Sequence, residues 1–243
     1  MRDWQGKRYW LVGASDGLGA ALAEKISRAG AEVILSARSA DKLAEVAARL
    51  PGRVQVVPCD VSSDESVAEA AAQAGQIDGV VVLAGVYWPQ RSTGWNAEQV
   101  TAMCDINFTG CARVLGQVVP AMVARDQGHI VLTGSLSGFR GLPGAIGYGA
   151  SKAAVMYLAE GMYGELRGTG VDVQLANPGF IKTRLTAKND FAMPFIMTPE
   201  QAAQQMFEHM QGDSFKKSFP FGFSLLFRFS QFWPDWLYYR VFR

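Results

Sequence analysis

The sequence predicts one doubly wound α/β domain, a parallel sheet with helices on both faces. From residue 8 to about 210, short apolar runs alternate with alanine-rich amphipathic stretches, the pattern of repeated βαβ units. The first run passes directly into a glycine-rich loop, Gly13 to Gly19, which opens the next amphipathic stretch. No internal repeat, low-complexity linker or shift in composition interrupts the chain before residue 213.

Buried strands are expected at 8–12, 32–37, 53–58, 77–84, 128–134 and 171–176, because strands covered on both faces read as continuous apolar runs. Helices are expected between them at 18–29, 39–49, 64–73, 97–125 and 147–167. A further helix at 199–211 carries its own start signals: Thr198 as cap, Pro199 at the first helical position and Gln201 at capping-box spacing. Residues 1–212 are thus expected to form the body of the domain and 213–243 an extension.

Composition narrows the class. The 243 residues are 49% hydrophobic and 19% charged, enough to bury a core without staples. Cys59, Cys104 and Cys111 are too few and too irregularly spaced for a disulfide framework or a zinc site, so all three are expected in the core of a protein from a reducing compartment. His129 and His209 have no partners at metal-ligand spacing and are expected to be structural or solvent-facing, with no metal site. A net charge of +1 argues against nucleic acid as a partner. No stretch of 18 uncharged apolar residues exists to span a membrane, and the first residues lack a signal-peptide core. A cytoplasmic location, with contact to the inner face of a membrane, is the expectation.

The loop Gly13-Ala14-Ser15-Asp16-Gly17-Leu18-Gly19 lets backbone amides approach a pyrophosphate at a helix N-terminus, although taken alone it is also an ordinary strand-to-helix turn. About 20 residues on, where a carboxylate would hold an NAD ribose diol, stand Ala37 and Arg38. A guanidinium there suits a 2′-phosphate, so NADP(H) is favoured over NAD(H), with Asp16 arguing mildly the other way.

Tyr148 and Lys152 are four residues apart and share a helix face. An ammonium beside the phenol is expected to lower its pKa from about 10, so that Tyr148 can act as general acid and base. Ser135 follows the apolar run at 128–134, at the sheet edge where doubly wound folds bind ligands, and Asn107 lies upstream.

With the spacing of the glycine loop, Asn107, Ser135, Tyr148 and Lys152 resemble the tetrad of the short-chain dehydrogenase/reductase family, a Rossmann-like fold. The resemblance covers the chain to about residue 212. It implies hydride transfer between a nicotinamide and a carbonyl or alcohol carbon. Ser135 would bond the substrate oxygen, Tyr148 pass the proton, Lys152 hold the ribose hydroxyls, and Asn107 order a water in the relay while serving structurally. It also implies cofactor contacts from Ser15 and Leu18 in the loop, from Asp60 and Val61 to the adenine, from Ala84 and Gly85 through backbone, and from Pro178, Gly179, Ile181 and Thr183 around the nicotinamide. Two positions depart from the family pattern, Val12 for threonine and Leu83 for asparagine. Other functions on the same fold are a dinucleotide-binding sensor or scaffold without turnover, and an epimerase or lyase. A homodimer or homotetramer is implied as well.

A substrate lid is expected at about 184–198, whose Phe191, Met193, Phe195, Ile196 and Met197 suit an apolar substrate or, on the competing reading, core packing. From Phe215 onward the chain holds 12 of its 27 aromatic residues, more than one last strand requires. Residues 215–223 suit such a strand; residues 224–243 read as two short helical stretches broken at Pro234, placed either against a membrane surface or in a subunit interface.

Overall fold

Apolar residues alternate between the two faces of each central strand, and that alternation builds two cores. In the computed structural model, which describes residues 2–189 and 191–242, the strands are β1 (Arg8–Val12), β2 (Glu32–Ser36), β3 (Val54–Val56), β4 (Gly79–Val82), β5 (Gly128–Thr133), β6 (Val171–Pro178) and β7 (Lys216–Phe219). Met1, Asp190 of the expected lid and Arg243 at the end of the expected extension lie outside the described residues. All pairings are parallel, in the order β3-β2-β1-β4-β5-β6-β7. Trp10, Val80 and Ile130 point to one face while Leu11, Val81 and Val131 point to the other. The chain reverses direction across the sheet between β1 and β4. The crevice at their carboxyl ends is the place where doubly wound sheets bind ligands.

Helices α1 (Gly17–Arg28), α2 (Ala40–Ala47) and α7 (Pro199–Gln211) cover the Leu11 face. Helices α3 (Asp64–Ala74), α5 (Gly110–Ala124) and α6 (Ile146–Leu166) cover the Trp10 face. The capping box of Thr198 and Gln201 forms as its spacing predicts. Helices α8 (Phe221–Ser230) and α9 (Asp235–Val241) end the chain, with the break at Pro234. Among the described residues, no helix is long and apolar enough to cross a membrane.

Two sequence expectations about elements and burial are corrected. The single helix over 97–125 is instead α4 (Ala97–Cys104), a π-helical turn at Asp105–Thr109, and α5. The widened turn places Asn107 in the interior, where tertiary hydrogen bonds hold it. Cys104 is exposed, because it ends α4 on the outer side, while Cys59 and Cys111 are buried as expected. Both histidines are buried, the structural of the two placements that the sequence left open.

His129 sits in a polar chain inside the sheet. Tyr9, Gly79 and His129 are in register across β1, β4 and β5, and a Cβ at position 79 would lie 2.3 Å from the Tyr9 ring. Glycine therefore opens the gap through which the Tyr9 hydroxyl reaches His129 Nδ1 at 2.9 Å. His129 Nε2 donates to Gln174 Oε1 at 2.8 Å, and the Gln174 amide donates to the carbonyls of His209, Gly212 and Ser214. The approach to β7 is thereby tied to the sheet.

Candidate active site

The glycine loop is shaped by crowding. Gly13 and Ala14 both donate to the Ser36 carbonyl at the end of β2, at 2.7 and 3.0 Å. A Cβ on Gly13 would lie 2.4 Å from the Ala84 nitrogen, and one on Gly19 would lie 2.1 Å from the Gly13 oxygen. Only glycine fits at either place, and the result is a concave backbone cradle at the start of α1. Asp16 caps α1 by accepting from the Gly17 nitrogen at 2.7 Å, and its other oxygen pairs with Arg184. The residue that argued against a 2′-phosphate therefore has its carboxylate engaged elsewhere.

A cavity of about 570 Å³ begins at this cradle. Gly13, Ser15, Gly17, Leu18 and Gly19 line one end, continuous with Arg38, Asp60 and Val61. Ala84, Gly85, Tyr148, Lys152, Pro178, Gly179, Ile181 and Thr183 line it as well, and the Thr183 methyl would lie 2.8 Å from a Cβ on Gly17. Ser39 and Lys42 also line it and escape the sequence reading. No helical spacing links the two, since Arg38 precedes the extended cap Ser39 and only Lys42 lies in α2. Asp60 accepts from the Ser62 nitrogen and hydroxyl at 3.0 and 2.7 Å. Burial works against its ionisation, but these bonds, with Arg38 and Arg113 nearby, hold the carboxyl below its ordinary range.

Beyond the cradle lie the four residues expected to do chemistry. Tyr148 and Lys152 face the cavity from the first turns of α6, whereas Ser135 and Asn107 stand behind its lining. Ser135 ends the β5 run and accepts from the Ser137 nitrogen and hydroxyl at 3.2 and 3.0 Å. Asn107 accepts from the Val86 nitrogen at 2.7 Å and donates to the Val86 carbonyl at 3.0 Å and to the Ser151 hydroxyl at 2.9 Å. Ser151 in turn donates to the Tyr148 carbonyl at 2.8 Å. Through this chain Asn107 joins the exit of β4 to the turn that carries Tyr148.

The electrostatics differ from the sequence expectation. Burial pushes the Tyr148 phenol up to about 12, and the hydrogen bond with the Ser135 hydroxyl only partly offsets it. Burial also lowers Lys152 to about 8. Lys152 Nζ donates to the Thr133 carbonyl at 2.9 Å and lies 5.8 Å from the Tyr148 ring centroid, so the expected lowering of the phenol by this ammonium is absent. Desolvation outweighs a charge at that distance.

A family model described as short chain dehydrogenase matches residues 7–193. The chain belongs to the short-chain dehydrogenase/reductase family. It is 37% identical to an uncharacterized oxidoreductase of Myxococcus xanthus over 94% of this chain and 93% of that protein. An uncharacterized oxidoreductase of Staphylococcus saprophyticus is 34% identical over 88% of this chain and 95% of that one. Among solved structures, a short-chain dehydrogenase from Sphingobium yanoikuyae in complex with NADPH superposes with a TM-score of 0.82 at 26% identity, covering 88% of each chain. One from Burkholderia phymatum in complex with NAD shares the fold, with a TM-score of 0.87 at 24% identity over 95% of this chain and 94% of that one.

In this short-chain dehydrogenase/reductase the segment expected as a lid leaves and returns at one neck. Lys182 donates to the Met197 carbonyl at 2.8 Å and Met197 donates to the Phe180 carbonyl at 2.9 Å. Met197 itself packs in the core, as the competing reading held. The loop is fastened across the cavity by Lys188, which donates to the Tyr87 carbonyl at 2.8 Å, and by the Tyr87 hydroxyl, which donates to Asn189 at 2.9 Å. The Tyr87 ring meets Tyr148 edge-on at 5.1 Å. Behind Gly179, Phe223 of α8 packs on Phe180 and Phe195 at 5.9 and 5.5 Å. The C-terminal helices thus adjoin the site, a contact without any local sequence signal.

Proposed function

We propose that this oxidoreductase transfers hydride between NADP(H) and the carbonyl or alcohol carbon of an apolar small molecule. The observation that carries the reading is a single cavity running from Arg38 and Lys42, past the glycine cradle, to Tyr148 and Lys152. The nicotinamide, when bound, supplies or accepts the hydride. Gly13, Ser15, Gly17, Leu18 and Gly19 would cradle its pyrophosphate, and Arg38 with Lys42 would meet a 2′-phosphate, Asp16 being paired with Arg184 and Asp60 bonded to Ser62. Asp60 and Val61 would border the adenine; Ala84, Gly85, Pro178, Gly179, Ile181 and Thr183 would position the nicotinamide riboside. In the reductive direction Tyr148 gives its phenolic proton to the substrate oxygen, with Ser135 bonding that oxygen. In the oxidative direction it takes the proton back. Lys152 would hold the ribose hydroxyls, and Asn107 keeps the turn in place and would order a water of the relay.

Phe180, Phe191 and Phe195 stand outside the lining of the cavity, so an apolar substrate would be met by Leu185, Val86 and Ile106 within it. Exposed Tyr157 on α6 and Val123 on α5 offer surface for a homodimer or homotetramer. Attachment of residues 224–243 to a membrane, where a lipid-soluble substrate is met, belongs to the same reading. A panel of apolar aldehydes, ketones and alcohols assayed with NADPH, NADH and their oxidised forms tests it. NADP(H)-linked turnover is expected, and turnover with none of these pairs would overturn it.

A further inference from the structure

We infer that the lid and the C-terminal helices together form a docking face for an anionic lipid bilayer, a surface that deepens the apolar-substrate reading and rests on it for its purpose. The helices have two distinct sides. Ser224, Phe227 and Ser230 of α8 and Tyr238 of α9 are buried against the body. On the outer side Phe221, Phe232 and Trp236 are exposed by 71%, 83% and 70%, with Phe229 and Tyr239 beside them. Phe195 of the lid, 68% exposed, packs on Phe223 and extends the aromatic surface from the C-terminal helices onto the lid. Folded monomers rarely leave such a patch to water.

The charges choose the occupant. Arg228 and Arg240 are exposed on the same two helices and form no ion pair among the described residues. The acidic residue of this segment, Asp235, is bound to Arg140. A second copy seated on this face would bring its own arginines to a surface whose carboxylate is committed, and would desolvate them unpaired. Lipid headgroups supply anions at the depth where Trp, Tyr and Arg are all satisfied. Helices of 10 and 7 residues can lie in that plane but cannot cross it.

The test uses the full chain and sucrose-loaded vesicles. Removing residues 224–243 would uncover the core that Phe227 and Tyr238 close, so surface substitutions are the better variants. The protein is expected to sediment with mixed phosphatidylcholine–phosphatidylglycerol vesicles, weakly with phosphatidylcholine alone, and less as salt rises. Phe232→Ser with Trp236→Ser, and separately Arg228→Glu with Arg240→Glu, should each weaken binding by roughly tenfold or more. Elution volume and NADPH oxidation with a water-soluble carbonyl should not change. A parent that stays in the supernatant, binding that survives both double substitutions, or a substituted protein that breaks into smaller species would each overturn the inference. Failure of the oxidoreductase reading would register separately, as absent NADPH oxidation in the parent.

Discussion

The Arg140 guanidinium lies 4.1 Å from the ring centroid of Tyr238, joining the loop between Ser135 and Tyr148 to the last helix of the chain. The same group donates to the carbonyls of Ser230 and Trp233 at 2.8 and 2.7 Å and pairs with Asp235. It therefore closes the end of α8 and the start of α9 at once. Arg140→Ala is expected to cost about 2 kcal/mol, the scale of losing charge-assisted hydrogen bonds in a partly buried place. Thermal unfolding should shift down by roughly 4–8 °C. Arg140→Lys should recover little, because a point charge cannot bridge two carbonyls and a ring. An unchanged melting temperature in the alanine variant would show that α9 is held by its aromatic contacts alone.

Tyr148→Phe removes the transferable proton and leaves the ring in place. Turnover should fall by ~10²–10⁴-fold, with NADPH affinity changed by no more than a few fold. Lys152→Ala should impair both turnover and cofactor binding. Steady-state kinetics combined with fluorescence titration of NADPH separates the two effects, and residual Tyr148→Phe activity above roughly a tenth would remove the proton role.

Arg38→Asp should collapse the preference for NADPH, since a carboxylate repels the 2′-phosphate and accepts from a ribose diol. Lys42→Ala should shift preference the same way and less far. The ratio of kcat/KM for NADPH and NADH decides, and equal use of both cofactors by the parent would defeat the assignment.

Stability should fall in acid through the two buried histidines. Burial lowers His129 to about 3 and His209 to about 4, so both are neutral in the fold while the unfolded chain protonates near ~6.5. Above that pH they cost nothing. As pH falls, the unfolded chain takes up protons that the fold refuses, and each histidine removes stability at about 1.4 kcal/mol per pH unit. The loss due to His209 flattens near pH 4 and that due to His129 near pH 3. Urea denaturation between pH 7 and 4 measures the slope, and His129→Gln should reduce it by about half. A slope that His129→Gln leaves intact would assign the acid sensitivity to carboxylates.

What the sequence makes legible follows from the range of the forces involved. Strand β1 and helix α7 are read within a residue, because an apolar run and a capping box are local signals. The lining of the cavity is legible through motif spacing from Gly13 to Thr183. The π-helical turn at Asn107 is not, since its hydrogen bonds run to Val86 and Ser151, 21 and 44 residues away. Arg140 and Asp235 are 95 residues apart, and nothing near either one points to the other. Burial of Tyr148 is likewise a tertiary property, which is why its pKa moves opposite to the expectation from an adjacent lysine.

The neck at Phe180, Lys182 and Met197 bears on how this enzyme could acquire new substrates. Because the lid's two ends are hydrogen-bonded to each other, the strain of a longer, shorter or altered intervening loop stops at the neck and does not reach β6 or α7. Loop-closure entropy grows only slowly with length, so a replacement of different size adds little cost once its ends are held together. The segment behaves as an exchangeable cassette, provided that a replacement keeps the bonds of Lys188 and Asn189 to Tyr87, whose ring packs edge-on against Tyr148.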